Sequence, residues 1–84
     1  MTISFDPVAF QDFQAWAAED SKIFIRIGVL IKDIGRNPFQ GIGKPEGLKH
    51  HLAGFWSRRI TDEHRLVYKV TKDTLFIASC RFHY

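Results

Sequence analysis

Glu46, Arg59, Arg65, Lys69, Arg81 and His83 are side chains of this sequence whose types could do chemistry together. Arginine and lysine bind phosphates, and arginine does so with a planar two-pronged fork. Histidine gives and takes protons near neutrality. Glu46, in the segment GKPEGLKHH, is the carboxylate placed to complete an acid/base pair, and Lys44, Lys49, His50 and His51 keep its surroundings basic. A base, an acid and phosphate-binding cations are the parts needed to cleave RNA through its own 2′-hydroxyl. The base takes the hydroxyl proton, the cations steady the phosphorane charge, and the acid protonates the departing 5′ oxygen. Such a set calls for neither a metal nor a cofactor. Each member also has an ordinary reading. Glu46 can be a solvated loop residue, His83 a bystander, Arg59 and Arg65 partners of Asp62 and Glu63, and Tyr84 a capping aromatic.

Competing chemistries fit less well. His50, His51, His64 and His83 lack the i, i+4 or Cys–His spacing of a zinc site. GIGKPEG lacks the Gly-Lys-Ser/Thr ending and the preceding strand of a phosphate loop. Cys80 falls in an apolar row, which argues against a nucleophilic thiol. As the single cysteine it cannot form an internal disulfide, which fits a reducing cytoplasm.

The elements that must carry these residues are legible. TISF at residues 2–5 reads as a short strand. Asp6-Pro7 opens a helix, with Asp as the cap and Pro where its missing N–H does no harm. Phe10, Phe13, Trp16 and Ala17 follow at helical spacing. Asp20-Ser21 opens a second helix, whose stripe is Ile23, Ile27, Leu30 and Ile34, widened by Phe24 and Ile31, and which Gly35 and Asn37-Pro38 end. NPFQGIGKPEGLKHH reads as loop. GFWSRRI, HRLVYKV and TLFIASCRFHY then alternate with period two, and their short connections predict antiparallel hairpins. The expectation is one α+β domain over residues 1–84, β-α-α-β-β-β, with two helices on one face of a small, mainly antiparallel sheet.

Alternation sorts the two faces. Leu66, Tyr68 and Val70, then Phe76, Ala78, Cys80 and Phe82, are expected under the helices, with Trp56 and Ile60. The open face then gathers Ser57, Arg59, Arg65, Lys69, Arg81 and His83. Arg58 falls in the apolar row and is expected to reach out at the sheet edge.

Composition agrees with a folded domain: 45% hydrophobic, with eight Phe, two Trp and two Tyr. No apolar run approaches the roughly 18 residues of a membrane span, and MTISFDPVAF shows no secretory signal. The net charge of +3 is uneven. Residues 1–36 carry four basic and five acidic side chains, and residues 37–84 eight and four. A basic half points to a polyanionic partner, nucleic acid in the simplest case, or else to a solvated basic face.

From Asn37 to Tyr84 the sequence resembles the Txe/YoeB family of bacterial toxins, in the RelE-like superfamily of ribosome-dependent mRNA endonucleases. GKPE, LK, GFWSRRI, HRLVY and RFHY occur in the family's order and spacing. The helical half matches more loosely, with Gly28 and AWAAED as departures that bear on partner specificity. The resemblance implies a RelE-like fold, Glu46 as general base and His83 as general acid. It also implies Arg65 stabilising the transition state, Tyr84 orienting substrate, and Lys49 and Arg59 in supporting contacts. Such toxins are cytoplasmic, cut mRNA in the ribosomal A site and act as homodimers. A co-expressed YefM/Phd-like antitoxin neutralises them with an acidic C-terminal segment, and operator DNA is bound only through that complex. Two other readings stay open: a toxin of the same fold aimed elsewhere, such as gyrase, and a non-catalytic RNA-binding module whose basic face serves phosphate contacts alone.

Overall fold

Two aspartates start the helices. Asp6 accepts hydrogen bonds from the amides of Val8 (2.9 Å) and Ala9 (3.4 Å) and opens α1 (Pro7–Glu19), with Pro7 in the first turn. Asp20 accepts from the amides of Lys22 (3.1 Å) and Ile23 (3.3 Å) and opens α2 (Ser21–Arg36). The computed structural model in which these contacts are seen describes residues 1–82. The expected α2 stripe holds: Ile27, Leu30 and Ile34 are buried, with Ile23, Phe24 and Ile31 packed beside them. The α1 stripe is rotated from expectation. Ala9 and Trp16 are buried and Phe13 packs against the core, while Phe10 is 45% exposed and Ala17 lies in solvent.

Among the described residues five strands form one sheet in the order β1-β5-β4-β3-β2. They are β1 (Thr2–Phe5), β2 (Glu46–Gly47), β3 (Trp56–Arg59), β4 (Arg65–Thr71) and β5 (Thr74–Ser79), with a single 3₁₀ turn at His50–Leu52. β1 runs parallel to β5, and every other pairing is antiparallel. The predicted β-α-α-β-β-β order is therefore present with one addition. β2 pairs with Ser57 and Trp56 from inside the stretch expected to be loop, where two residues among Gly and Pro carry no alternation to read.

Both helices pack on one face, where Leu66, Tyr68, Leu75, Ile77 and Cys80 join Ala9, Trp16, Ile27, Leu30 and Ile34 in a single buried cluster. Here the last strand departs from expectation. Leu75 and Ile77 face the core, not Phe76 and Ala78. Ile77 pairs with Tyr68 and Ser79 with Val67, which leaves Ala78 as an extra residue in a β-bulge. The bulge inverts the phase, so Cys80 returns to the core although Leu75 and Ile77 precede it there. Phe82 is 56% exposed and not a core residue.

Two arginines are also placed differently from expectation. Arg58 does not reach out at the edge; it is fully buried. Arg81 does not join the open face. It stacks on the Trp16 ring at 3.9 Å and pairs with Glu19 (2.6 Å) and Asp12 (3.4 Å) of α1. The strand ends at Ser79, so alternation no longer governs where residue 81 points.

Candidate active site on the open face of the sheet

The strand registers build a row across the face turned away from the helices. Glu46 lies opposite Ser57, Ser57 opposite Val67, and Val67 opposite Ser79. One pleat along, on the same face, Arg59 lies directly opposite Arg65. With strands about 4.8 Å apart and about 3.4 Å per residue, Glu46 and Arg65 are separated by about 12 Å between α-carbons. Ser57 and Val67 form a buried floor, while Glu46 and Arg59 are exposed and Arg65 half-buried. Lys69, on the same face, lies 5.3 Å over the Phe55 ring. Like charges directly opposite in a sheet destabilise it unless an anion lies between them. Arg59 and Arg65 thus set two cations side by side on this face.

Arg65 is held in place by the β3–β4 turn. Its Nη1 donates to the carbonyls of Thr61 (2.7 Å), Asp62 (3.1 Å) and His64 (3.2 Å). Lys49 and Glu46 line a cleft of about 560 Å³ together with Gly47, Leu48, His50, His51 and Leu52. The expected site residues Glu46, Lys49, Arg59 and Arg65 are therefore brought to one face and its flanking cleft. His83 and Tyr84 lie outside the described residues. The chain is described up to Phe82, whose carbonyl accepts the Arg65 amide at 3.1 Å.

The Glu46 loop is positioned by a residue that sequence reasoning misjudged. All five N–H groups of the buried Arg58 find acceptors. Nε donates to Tyr68 Oη (3.2 Å), and Nη1 to the Asp33 carboxylate and to Ile42 O (3.2 Å). Nη2 donates to Asn37 O (2.7 Å) and Gln40 O (3.0 Å), and Tyr68 Oη donates to Pro38 O (2.6 Å). A loop rich in Gly and Pro leaves carbonyls without partners, and one guanidinium collects them. Asp33 is held below the usual carboxylate range by the Arg58 hydrogen bond first and the Ile42 amide second. Burial pushes the Tyr68 hydroxyl upward against the opposing pull of Arg58. Gly43, at φ +79, closes the loop onto β3: its carbonyl accepts the Arg59 amide at 2.6 Å, and a Cβ there would lie 2.9 Å from Leu30. The signal available in the sequence was the phase of Arg58, a cation aligned with Trp56 and Ile60.

A family model described as the YoeB-like toxin of bacterial type II toxin–antitoxin systems matches residues 5–84. The chain belongs to this family. Toxin YoeB of Escherichia coli K12 is 55% identical over 84 residues, all of both chains. The solved YoeB/ParE toxin from Agrobacterium tumefaciens superposes with a TM-score of 0.97 at 43% identity, covering both chains fully. Staphylococcus aureus YoeB, solved as a dimer, is 48% identical with a TM-score of 0.94, and its complex with YefM gives 47% and 0.93. Both S. aureus matches cover all of this chain and 98% of the other. The YoeB-like sheet face described above is thus that of a toxin from a toxin–antitoxin pair.

Proposed function

We propose that this toxin is an endoribonuclease that cuts mRNA in the ribosomal A site by acid/base chemistry through the RNA 2′-hydroxyl, and so inhibits translation. The observation that carries this is the gathering of Glu46, Arg59 and Arg65 on one sheet face, with a cleft at the Glu46 end. Glu46 is the general base. It takes the 2′-hydroxyl proton, and the freed oxygen attacks the adjacent phosphorus. Arg65, with Arg59 and Lys49 in support, offsets the charge on the phosphorane. His83 protonates the 5′ oxygen as the P–O bond breaks, and Tyr84 orients the substrate. The products are a 2′,3′-cyclic phosphate and a 5′-hydroxyl, and the protons balance without a metal ion.

Residues 1–84 act as one toxin domain in the cytoplasm; no helix among the described residues is long and apolar enough to cross a membrane. The dimer and the YefM complex of the S. aureus relative support a homodimer neutralised by a YefM-like antitoxin, and operator DNA is contacted in this proposal only through that complex. An mRNA carrying one 2′-deoxynucleotide at the cut position in the A-site codon tests the chemistry. It should stay intact on programmed ribosomes while the all-ribose mRNA is cut. Equal cutting of both would refute attack by the 2′-hydroxyl.

A further inference from the structure

His64 closes the β3–β4 turn and is only 7% exposed. Its backbone is fixed: the amide donates to Thr61 Oγ1 (3.0 Å), and the carbonyl accepts from the amides of Ile60 (3.0 Å) and Thr61 (3.2 Å). The ring packs edge-on against Trp16, with centroids 4.8 Å apart, and lies 5.4 Å from the Phe82 ring. Inside this slot Nδ1 accepts the Phe82 amide proton at 2.7 Å. An amide nitrogen only donates, so Nδ1 carries the lone pair and the ring proton resides on Nε2. Nε2 in turn faces the Glu63 carboxylate at 3.6 Å, which favours that tautomer.

The following residue completes the grip. Arg65 donates its amide to the Phe82 carbonyl at 3.1 Å. Consecutive residues of one turn therefore hold both backbone polar groups of Phe82. Phe82 sits at φ +64, a left-handed conformation that a bulky side chain adopts only where its surroundings enforce it. His83 and Tyr84 are the next residues in the chain.

We infer that His64 is a positioning residue. Its imidazole, with the lone pair on Nδ1, fixes the backbone of Phe82, the residue that precedes His83 and Tyr84 in the chain, and cleavage depends on that anchor. This rests on the proposed roles of those two residues. A histidine suits the position because it combines a flat apolar body, packed between aromatic rings, with one lone pair in the ring plane.

Two substitutions separate positioning from packing. His64→Leu keeps bulk and loses the acceptor, and His64→Asn keeps an acceptor near the Nδ1 position. Exchange of the Phe82 amide, read by NMR in the full chain, needs no activity. It should quicken about tenfold or more in His64→Leu, while the Leu66 and Ile77 amides keep their protection. In A-site cleavage kcat should fall about 10–100-fold with KM little changed, and His64→Asn should recover most of both losses. A third variant guards against misfolding of the leucine protein. A synthetic CRFHY segment ligated at Cys80, with an ester at the 81–82 link, deletes the Phe82 N–H alone and should lower kcat in the same way. An unchanged Phe82 exchange rate, an unchanged kcat, or an asparagine variant no better than leucine would overturn the inference. Loss of Phe82 protection in a protein whose wild type cuts nothing on ribosomes would establish the anchor and refute the nuclease reading instead.

Discussion

Glutamine at position 46 keeps the size of glutamate and removes its basicity. General acid or base catalysis contributes about 10²–10⁴-fold, so Glu46→Gln should lower A-site cleavage by that factor. Glu46 is exposed, and thermal unfolding of the variant should match the wild type. Unchanged cleavage would return Glu46 to the surface. Cys80 makes the opposite case. Burial first, and Asp12 second, push its thiol up to about 12, and Sγ donates to Ala9 O at 3.5 Å. A thiol reagent at pH 8 should leave native Cys80 unlabelled and label it on unfolding; rapid native labelling would contradict its burial. At this scale the sequence was legible in placement: strand alternation put Arg59 and Arg65 on the open face, and the structure has them directly opposite each other there. His64 was not legible, since its task is one hydrogen bond to a residue 18 positions away.

Elements were legible where a period repeats and hidden where it breaks. Both aspartate caps and the α2 stripe follow from local pattern. The reversed face of β5 does not, because Leu75-Phe76-Ile77-Ala78 offers two apolar rows and only the bulge decides between them. Arg58 was misjudged for a related reason: apart from Tyr68 on β4, its acceptors lie on α2 and on a loop with no period. Removing it should be severe. Arg58→Met leaves Asp33 and several loop carbonyls without their donor, and breaking a buried ionic network of this kind costs about 3–5 kcal/mol. Urea unfolding would measure the loss, and a loss below about 1 kcal/mol would contradict the staple. The same contact has a pH signature. Asp33 titrates lower in the folded state than in the unfolded chain, so folding releases protons there. Its stabilisation is full above the ordinary carboxylate range, about pH 4, and fades as pH falls through the lower folded value. The stability difference between wild type and Asp33→Asn should therefore shrink on acidification below about pH 4. A difference constant with pH would exclude this linkage.

Across the whole molecule the two halves divide the work. The helical half, with four basic and five acidic residues, supplies the apolar faces and the carboxylates that hold Arg58 and Arg81. The second half carries eight basic and four acidic residues and displays Arg59 and Arg65 on the face opposite the helices. Charge asymmetry in the sequence pointed to a polyanion, and the sheet explains how that charge is concentrated. The proposed activity is cleavage of mRNA by this face only where a ribosome presents it. Mapping RNA 5′ ends after adding purified protein to mRNA, with and without programmed ribosomes, beside Glu46→Gln and His83→Gln, tests it most directly. New ends should appear at the A-site codon, with ribosomes only, and none in either variant. No new ends from folded wild-type protein, or the same ends in both variants, would contradict it.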